Sequence, residues 1–474
     1  MWKNISKIIL NNRILIVFLI LVLTIFFGFF ATKIKLQYQI NKLLPEKDST
    51  YIAYENFKSN FGQDGLMLVI ATTEPNFYTE KKFNAWLEMA DSIGKVSVLV
   101  KEKDTSYYKN AIDSIFSEGH LYNIIKNKKE DKFNLVQIID KYPLRQEKID
   151  SISNVISNLS FYDNIVYKNS SDLHLMMLFL NKEVFNSKSR GTLISEINEI
   201  AMAYDHLFEN WRFSGLPYIR SYIMTIIKSE LKIFVLLALL VTSILLLVFF
   251  KSFKVVIISL IVVLVGVVWS MGVIGIFGYE LTSLMALIPP LIIVIGIPNC
   301  IYLINKYQQE FKNHGDKLSA LDKIIQKVGN ATFLTNATTA LGFGTFVFTN
   351  SSIMIEFGLV SFINILCMFI ISICLVPIIY SFLSPPKEKH TKHLDRKWIF
   401  SFVNALVIFS KNYRKQVYLT TTILLFFGAY GVSLMHVTGN FTDDFPKKGQ
   451  IVKDLKFFEK ELNGVLPFEI VLTY

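Results

Sequence analysis

The hydrophobic positions of the chain form two kinds of pattern. Long apolar runs lie at residues 14–31 and again from 234 onward, separated by short charged loops. Between residues 32 and 228 the long runs are absent, and short alternating stretches lie between helical patterns. An apolar run of about 20 residues can cross a hydrocarbon core ~30 Å thick, whereas alternation is typical of half-buried strands. The pattern therefore predicts a membrane protein that also carries a water-exposed domain.

The order of these segments predicts seven spans and one orientation. The loop at 251–254 and the stretches 306–329 and 385–397 are rich in lysine, and basic loops favour the cytoplasmic side. We expect 306–329 to form a charged helix along that membrane surface. The predicted order is a cytoplasmic N-terminus at 1–13, the first span at 14–31, an extracytoplasmic domain at 32–228, five spans within 231–383, a cytoplasmic linker at 384–415, the seventh span at 416–436 and the start of a second outer domain at 437–474.

The segment 32–228 predicts an α+β domain. Alternating stretches predict strands at 66–72, 95–100, 173–181 and 211–214. Helical patterns lie between them at 51–60, 79–93 and 191–205. Strands that alternate with helices in this order indicate a split βαβ, ferredoxin-like arrangement. Because the pattern is complete without the spans, we expect residues 36–222 to be soluble when expressed alone.

Composition narrows the classes of function. The 474 residues are 52% hydrophobic and carry a net charge of +11, but the basic residues lie beside apolar runs, so nucleic acid is not the expected partner. The three cysteines, Cys300, Cys367 and Cys374, all fall in predicted spans, which indicates neither a disulfide framework nor a metal site. The motifs of P-loop ATPases, zinc proteases and serine hydrolases are missing from the sequence. We therefore predict a protein that is not an enzyme and uses no metal or cofactor.

Polar residues interrupt the fourth and fifth apolar runs, where lipid-facing helices would carry none. The candidate polar centre is Pro298 with Asn299 in the fourth run, and Thr335, Asn336 and Thr339 in the fifth. Buried amides and hydroxyls in a membrane need partners on neighbouring helices or water. We therefore predict that these two helices pack together around a polar path. The alternative is an interhelical hydrogen bond that only holds the bundle together.

Prolines and glycines beside this centre are candidate hinge or packing positions. Pro289 and Pro290 precede it, and Gly342 and Gly344 follow it. Proline removes a backbone donor and bends a helix, whereas glycine permits close helix approach. For Pro298, the sequence leaves a moving hinge and a static kink both open.

An internal repeat is visible at an offset of 401 residues. The positions 11–13 fall on 412–414, just before a span in each copy, and Leu44-Pro45 falls on Phe445-Pro446. Phe57 falls on Phe458, and Val69-Ile70 falls on Ile470-Val471. A span, a turn, a helix and a strand thus recur in one order. We expect the chain to be the N-terminal portion of a two-repeat protein.

Several segments resemble the RND superfamily, and within it MMPL and Patched-like proteins with a sterol-sensing-like core. The stretch 41–62, NKLLPEKDSTYIAYENFKSNFG, resembles the segment after that family's first span, and FSGLP at 213–217 resembles its motif before the second. GIPNCIYLINKYQQE at 296–310, TNATTALGFGTF at 335–346 and IEFGLVSFINIL at 355–366 resemble its fourth-, fifth- and sixth-span signatures. The resemblance implies a polytopic half-transporter with an extracytoplasmic porter-like domain.

One departure concerns proton coupling. Where many relatives carry an aspartate in the fourth span, this chain has Pro298 followed by Asn299. Intramembrane acids titrate in proton-driven transporters, and an amide cannot replace them. The departure argues against simple proton antiport through this half.

The leading hypothesis is an inner-membrane exporter of lipids or other hydrophobic or amphiphilic molecules, driven by an ion gradient. The alternatives are a lipid-sensing or scaffold protein that does not transport, and an accessory of protein translocation with a related fold. Membrane lipids and an apolar substrate are the expected partners. Substrate identity, coupling ion, oligomeric state and any envelope partner protein stay open at this point.

Overall fold

A computed structural model describes residues 1–36, 48–61, 65–102, 105–127, 132–187, 189–385, 397–435 and 449–462. They divide into two compact units. The helical unit is built from residues up to 36 and from 227 to 435. The mixed α/β unit is built from residues 48 to 226 together with 449–462. Residues 386–396 of the expected linker at 384–415 lie outside the described residues, as does most of the expected second outer segment at 437–474.

The elements follow the two patterns of the sequence. The helices are α1 (Trp2–Asn11), α2 (Arg13–Ala31), α3 (Ser49–Phe61), α4 (Glu80–Gly94), α5 (Gln146–Ser157), α6 (Lys182–Asn186), α7 (Arg190–Ala203), α8 (Leu216–Phe250), α9 (Phe253–Ile276), α10 (Ile288–His314), α11 (Lys317–Gly344), α12 (Ser352–Phe382), α13 (Lys397–Asn412), α14 (Arg414–Ser433) and α15 (Gln450–Leu462). The strands are β1 (Lys35–Leu36), β2 (Met67–Thr73), β3 (Ser97–Glu102), β4 (Thr105–Asn110), β5 (Ile112–Phe116), β6 (Tyr122–Asn127), β7 (Lys132–Gln137), β8 (Tyr167–Lys168), β9 (Leu173–Leu180), β10 (Arg212–Ser214) and β11 (Glu280–Leu281).

Six helices in the described part of the chain are long and apolar enough to cross a membrane. They are α2, α8, α9, α10 with the short turn before it, α12 and α14. The expected fifth span, α11, is not among them, because its charged first turns and its Thr, Asn and Gly residues lower its mean hydropathy. It is nevertheless a continuous helix of 28 residues, and it packs against α10 and α12.

The charged stretch 306–329 does not form a separate surface helix, so that expectation is wrong. Instead α10 continues to His314, and α11 begins at Lys317. Gly315 ends α10 in the left-handed conformation with φ 70°, and the Asp316 carboxylate caps α11 by accepting from the Ser319 amide at 2.9 Å. A glycine C-cap followed by an aspartate N-cap makes a tight turn between antiparallel helices. The charged residues therefore lie at the C-terminal end of α10 and the N-terminal end of α11.

The helical unit is centred on α9, α10 and α12, which contact one another, while α11 packs on α10 and α12 and α2 on α9. Short side chains set how closely these helices approach. A Cβ at Gly272 of α9 would lie 2.6 Å from the Phe27 carbonyl oxygen of α2. The amphipathic α1 also joins the bundle, since the Ser6 hydroxyl bonds to Asp322 and the Trp2 ring lies 6.5 Å from that of Phe333. The first twelve residues are therefore a docked helix.

The mixed unit contains an antiparallel sheet in the order β10-β2-β9-β5, with β8 paired to β9. Helix α4 lies between β2 and β5 in sequence, and α7 lies between β9 and β10. The strands predicted at 66–72, 173–181 and 211–214 are confirmed as β2, β9 and β10. The stretch predicted at 95–100 is the strand β3, but it pairs with β4 in a separate hairpin. The hairpin β6–β7 was not predicted, because its strands lack a regular buried face.

Both faces of the central sheet are buried. One face carries Leu68, Ile70, Met176 and Leu178 and belongs to a core with Trp86 of α4 and further residues of α7. The opposite face carries Val69, Ala71, Leu173 and Leu175, and Phe458 of α15 packs on it. The segment that covers this second face therefore follows the last predicted span in sequence.

Polar contacts fix α15 on the sheet. Asp454 is fully buried, and its carboxylate accepts from the Arg212 guanidinium at 3.0 Å and from the Phe213 amide at 3.4 Å. At the other end of α15, Lys168 donates to the Glu461 carbonyl at 2.5 Å. The position of α15 is thus specified by charge as well as by burial.

Candidate functional site

The centre of the helical unit contains a reciprocal amide pair. The Asn299 Nδ2 donates to Asn336 Oδ1 at 3.1 Å, and the Asn336 Nδ2 donates to Asn299 Oδ1 at 3.1 Å. Both side chains are buried, with 7% and 2% of their surface exposed. The Asn336 Nδ2 also donates to the Thr332 carbonyl at 2.7 Å. The pair satisfies most of the hydrogen-bonding capacity of two amides and links α10 to α11.

Local sequence explains how α10 presents Asn299. The residue before it, Pro298, lies inside α10 with its ring on the exposed side, while Asn299 and Cys300 face the interior. Proline has no backbone N–H, so the carbonyl of Val294 loses its intrahelical donor. The helix continues through this point to His314. A hinge at Pro298 stays a prediction.

The two predicted threonines do not join the pair. Thr335 is exposed and donates to the Ala331 carbonyl at 2.8 Å, and Thr339 donates to the Thr335 carbonyl at 2.8 Å. Threonine hydroxyls in helices commonly bond to the carbonyl one turn earlier. The buried threonine is Thr332, which lies one turn before Asn336 on the same helical face. The place of Thr335 and Thr339 in the polar centre therefore stays a prediction.

The predicted hinge and packing residues have different roles. Pro289 and Pro290 occupy the first helical positions of α10, where a missing N–H removes no intrahelical bond, so they begin the helix and do not bend it. A Cβ at Gly342 would meet nothing within 4 Å, whereas one at Gly344 would lie 3.2 Å from the Phe362 ring. Of these four residues, Gly344 alone is positioned to permit close helix packing.

Sequence reasoning missed a group of buried residues on α9, α10 and α12. A Cβ at Gly266 would lie 2.5 Å from the Met368 sulfur, and one at Gly296 would lie 3.1 Å from it. Asn364 and Ser361, earlier on α12, are also buried. An asparagine inside the apolar run IEFGLVSFINIL was a signal that could have found this group. Nothing in the sequence marked Met368, because methionine is ordinary in an apolar helix.

Charged groups lie at the end of the bundle where α10 meets α11. The Glu310 carboxylate, 3% exposed, accepts from Lys327 at 2.7 Å and lies 3.7 Å from Lys306 and 3.6 Å from the His314 Nε2. A buried carboxylate with several cationic partners stabilises the helix ends against each other. This cluster is separate in sequence and position from the amide pair.

The amide pair can hydrogen-bond, but it cannot titrate or hold a hard divalent ion by itself. No group of metal-ligating His, Cys, Asp or Glu residues occurs in the part of the chain that the structure describes. Neutral amides can exchange partners with water or with each other at low cost in charge. The site therefore suits a reversible link between helices or a hydrated path.

Known proteins were compared with this chain. Residues 212–407, which include the bundle from α9 to α12, match the MMPL family. A membrane protein of Methanocaldococcus jannaschii is 22% identical over 379 residues, which cover 79% of this chain and 92% of that relative. Together the two matches support the identification of the chain as an MMPL/RND-type membrane protein.

Proposed function

We propose that this chain is a transporter of the RND/MMPL type that moves lipids or other hydrophobic or amphiphilic molecules out of the inner membrane. It would do so without acting as an enzyme. The observation that carries the proposal is the amide pair of Asn299 and Asn336, buried at the centre of a helix bundle that matches the MMPL family. In that arrangement the domain at 32–228 lies outside the cytoplasm as a split βαβ domain, and membrane lipids surround α2, α8 and α14.

The geometry supports a bundle whose helices move against each other. Each amide of the pair has its partner on the other helix, so a shift of α10 against α11 exchanges these bonds for bonds to water or substrate. Such bonds in membranes average about 0.6 kcal/mol and reach about 2 kcal/mol. The pair can therefore break and re-form in a transport cycle. An ion gradient would drive the cycle through groups other than this pair, because it carries no titrating proton.

Deletion of the gene followed by complementation tests the proposal. We expect the deletion to change the lipid composition of the envelope or the resistance to amphiphilic solutes, and wild-type protein to restore it. Asn336→Leu should reach the membrane in folded form and fail to restore export when activity is expressed per folded protein. Thr335→Val is the matched control, because Thr335 lies on the exposed side of the same helix. A deletion strain with normal envelope lipids and normal solute resistance would contradict the proposal.

A second candidate is a lipid-sensing or scaffold protein, which the neutral polar centre favours. A sensor needs two arrangements of a helix pair and no path for an ion. Purified protein in proteoliposomes separates the two functions. Loss of a fluorescent lipid from vesicles that depends on an imposed gradient supports transport, whereas lipid binding that changes helix accessibility without any lipid movement supports sensing.

A further inference from the structure

A second set of buried polar atoms lies on α12. Asn364 is 2% exposed and Ser361 is 0% exposed. Within the described residues, neither amide atom of Asn364 nor the hydroxyl of Ser361 has a hydrogen-bond partner. The two residues are three apart, so they share a helical face. Buried polar groups in proteins are almost always satisfied by protein atoms or by water, and an asparagine with both amide atoms unpartnered indicates that water reaches it.

Met368 lies one helical turn further along the same face. Its thioether fits beside two glycines, Gly266 on α9 and Gly296 on α10, where any side chain would collide with it. Three helices therefore converge on one flexible apolar group. Methionine is unbranched and has three rotatable bonds, so it can leave such a position without backbone movement.

The direction of the helices places Met368 between two polar layers. Helices α10 and α12 run in the same sense, because the turns at 315 and 345–351 reverse the chain twice. Asn364 precedes Met368 by four residues, whereas Asn299 follows Gly296 by three. At 1.5 Å per residue, Asn364 lies about 6 Å to one side of Met368 and Asn299 about 4.5 Å to the other. The two polar layers are thus roughly 10 Å apart along the bundle.

We propose that Asn364 and Ser361 line a hydration site reached from the end of the bundle at which α12 begins. Met368 is the apolar plug that separates this site from the Asn299–Asn336 pair. Water is the ligand whose chemistry fits, because it can donate to the amide oxygen and accept from the amide nitrogen. The inference rests on the proposed function for its purpose: movement of Met368 would connect the two layers into one polar path during transport.

Thiol labelling of the full chain tests water access. Cys300, Cys367 and Cys374 are first replaced by alanine, and single cysteines are then introduced as Asn364→Cys and, as the matched control, Ile365→Cys. Ile365 is fully buried on the neighbouring side of α12. We expect the small hydrophilic reagent 2-aminoethyl methanethiosulfonate to modify the first at least tenfold faster than the second. Where Asn364→Cys lowers the folded yield, Ser361→Cys takes its place.

The role of Met368 as a plug is tested at the layer of the Asn299–Asn336 pair. We expect a cysteine introduced as Asn299→Cys to react slowly, and at least tenfold faster when Met368→Ala is added. Ile378→Ala is the control, since it removes a fully buried side chain elsewhere on α12.

Two results would overturn the inference. One is labelling at Asn364→Cys and Ser361→Cys as slow as at Ile365→Cys. The other is an equal effect, or no effect, of the two alanine variants on the cysteine at 299. Labelling does not depend on transport. If the chain fails the export assay but still shows this accessibility pattern, the proposed function is refuted and the inference about hydration stands.

Discussion

At the scale of single residues, two asparagines form the buried polar centre of the bundle. Each amide satisfies the other, and Thr332 contributes a carbonyl through its backbone. That arrangement offers no cation for a carboxylate at position 299. The loss of stability on replacing one asparagine therefore depends on which hydrogen bonds the other asparagine keeps.

We expect Asn299→Ala to be mild and Asn299→Asp to be damaging. After the change to alanine, Asn336 keeps its bond to the Thr332 carbonyl and loses interhelical bonds worth about 0.6–2 kcal/mol. The aspartate adds a charge whose penalty at the centre of a spanning helix is about 2.5–3.5 kcal/mol. Fluorescence-detected size exclusion of the full chain measures folded yield, and Pro298→Asp should lower it in the same way.

The control is Thr335→Val, which changes a polar side chain on the exposed side of α11, away from the amide pair, without adding a charge. Wild-type yield for Asn299→Asp, with an activity that gains a new dependence on acid pH, would contradict the expectation. Such a result would mean that the centre is already hydrated and able to carry protons.

At the scale of elements, α15 decides how the mixed unit is closed. At the offset of 401, its bounds coincide with those of α3, since Ser49–Phe61 falls on Gln450–Leu462, and Phe57 and Phe458 are the identical pair. The two helices differ at the residues through which α15 makes its polar contacts, because Asp454 and Glu461 correspond to Ala53 and Asn60. The buried carboxylate of Asp454 therefore makes α15 specific for this sheet.

The docking of α15 should strengthen as the pH falls towards the raised pKa of Asp454. Burial raises the pKa of Asp454 above its usual value of 3.8, and this outweighs the lowering effect of the Arg212 guanidinium. Asp454 thus binds a proton more readily when α15 is docked than when it is free. Docking therefore becomes more favourable as the pH falls through the raised pKa. Hydrogen exchange of the α15 amides, corrected for intrinsic rates, measures this.

Asp454→Asn is the control, because it removes the titrating group while it keeps the shape of the side chain. We expect the strengthening on acidification to be absent in that variant. The contacts of Glu461 with Ser171 and Lys168 hold the pKa of its carboxyl below its usual value, so that group by itself weakens docking as the pH falls. Protection on acidification that is no greater in the wild type than in Asp454→Asn would contradict the expectation.

At the scale of the whole molecule, the mixed unit draws on distant parts of the chain. Residues 36–222 were expected to be soluble alone, but Val69, Ala71, Leu173 and Leu175 of their sheet are covered by α15. Without α15 this apolar face would be exposed to water. An exposed apolar face of this kind promotes association.

We therefore expect residues 48–226 with α15 joined by a flexible linker to be monomeric and more stable than residues 48–226 alone. Far-UV circular dichroism should show mixed α/β structure in both, and thermal unfolding should show the difference. The matched control is the fusion carrying Phe458→Ala, which should lose about 3–5 kcal/mol as large core truncations do. Equal midpoints for all three proteins would contradict the expectation.

Topology is the second prediction at this scale. In a cysteine-free background, a cysteine at Ser114 should be labelled from outside the cytoplasm, and one at Asn313 from the cytoplasmic side. Both positions are exposed, whereas the neighbouring Ser117 is fully buried and would label poorly from either side. The reason is that the basic loops favour the cytoplasm. Labelling of Ser114→Cys from the cytoplasmic side alone would reverse the assignment.

The sequence by itself determined the features that depend on local period and composition. Apolar runs of sufficient length identified six helices that are long and apolar enough to cross a membrane, and alternation identified β2, β9 and β10. The amides of Asn299 and Asn336 were paired correctly, because two polar residues in adjacent apolar helices have few other partners. The turn at Gly315 was missed, although its glycine and aspartate are recognisable caps in hindsight.

Only the tertiary structure decided the contacts between residues far apart in sequence. A period of 3.6 residues groups Asn336 with both Thr332 and Thr339, and in the folded bundle Thr332 is buried whereas Thr339 is half-buried. Glycine is required at 266 and 296 because the Met368 side chain, which lies on a third helix, occupies the space that a Cβ would need. The second face of the sheet is apolar in the sequence, but its cover comes from residues 450–462. Such contacts depend on complementary shape and charge across the fold, which a one-dimensional pattern does not contain.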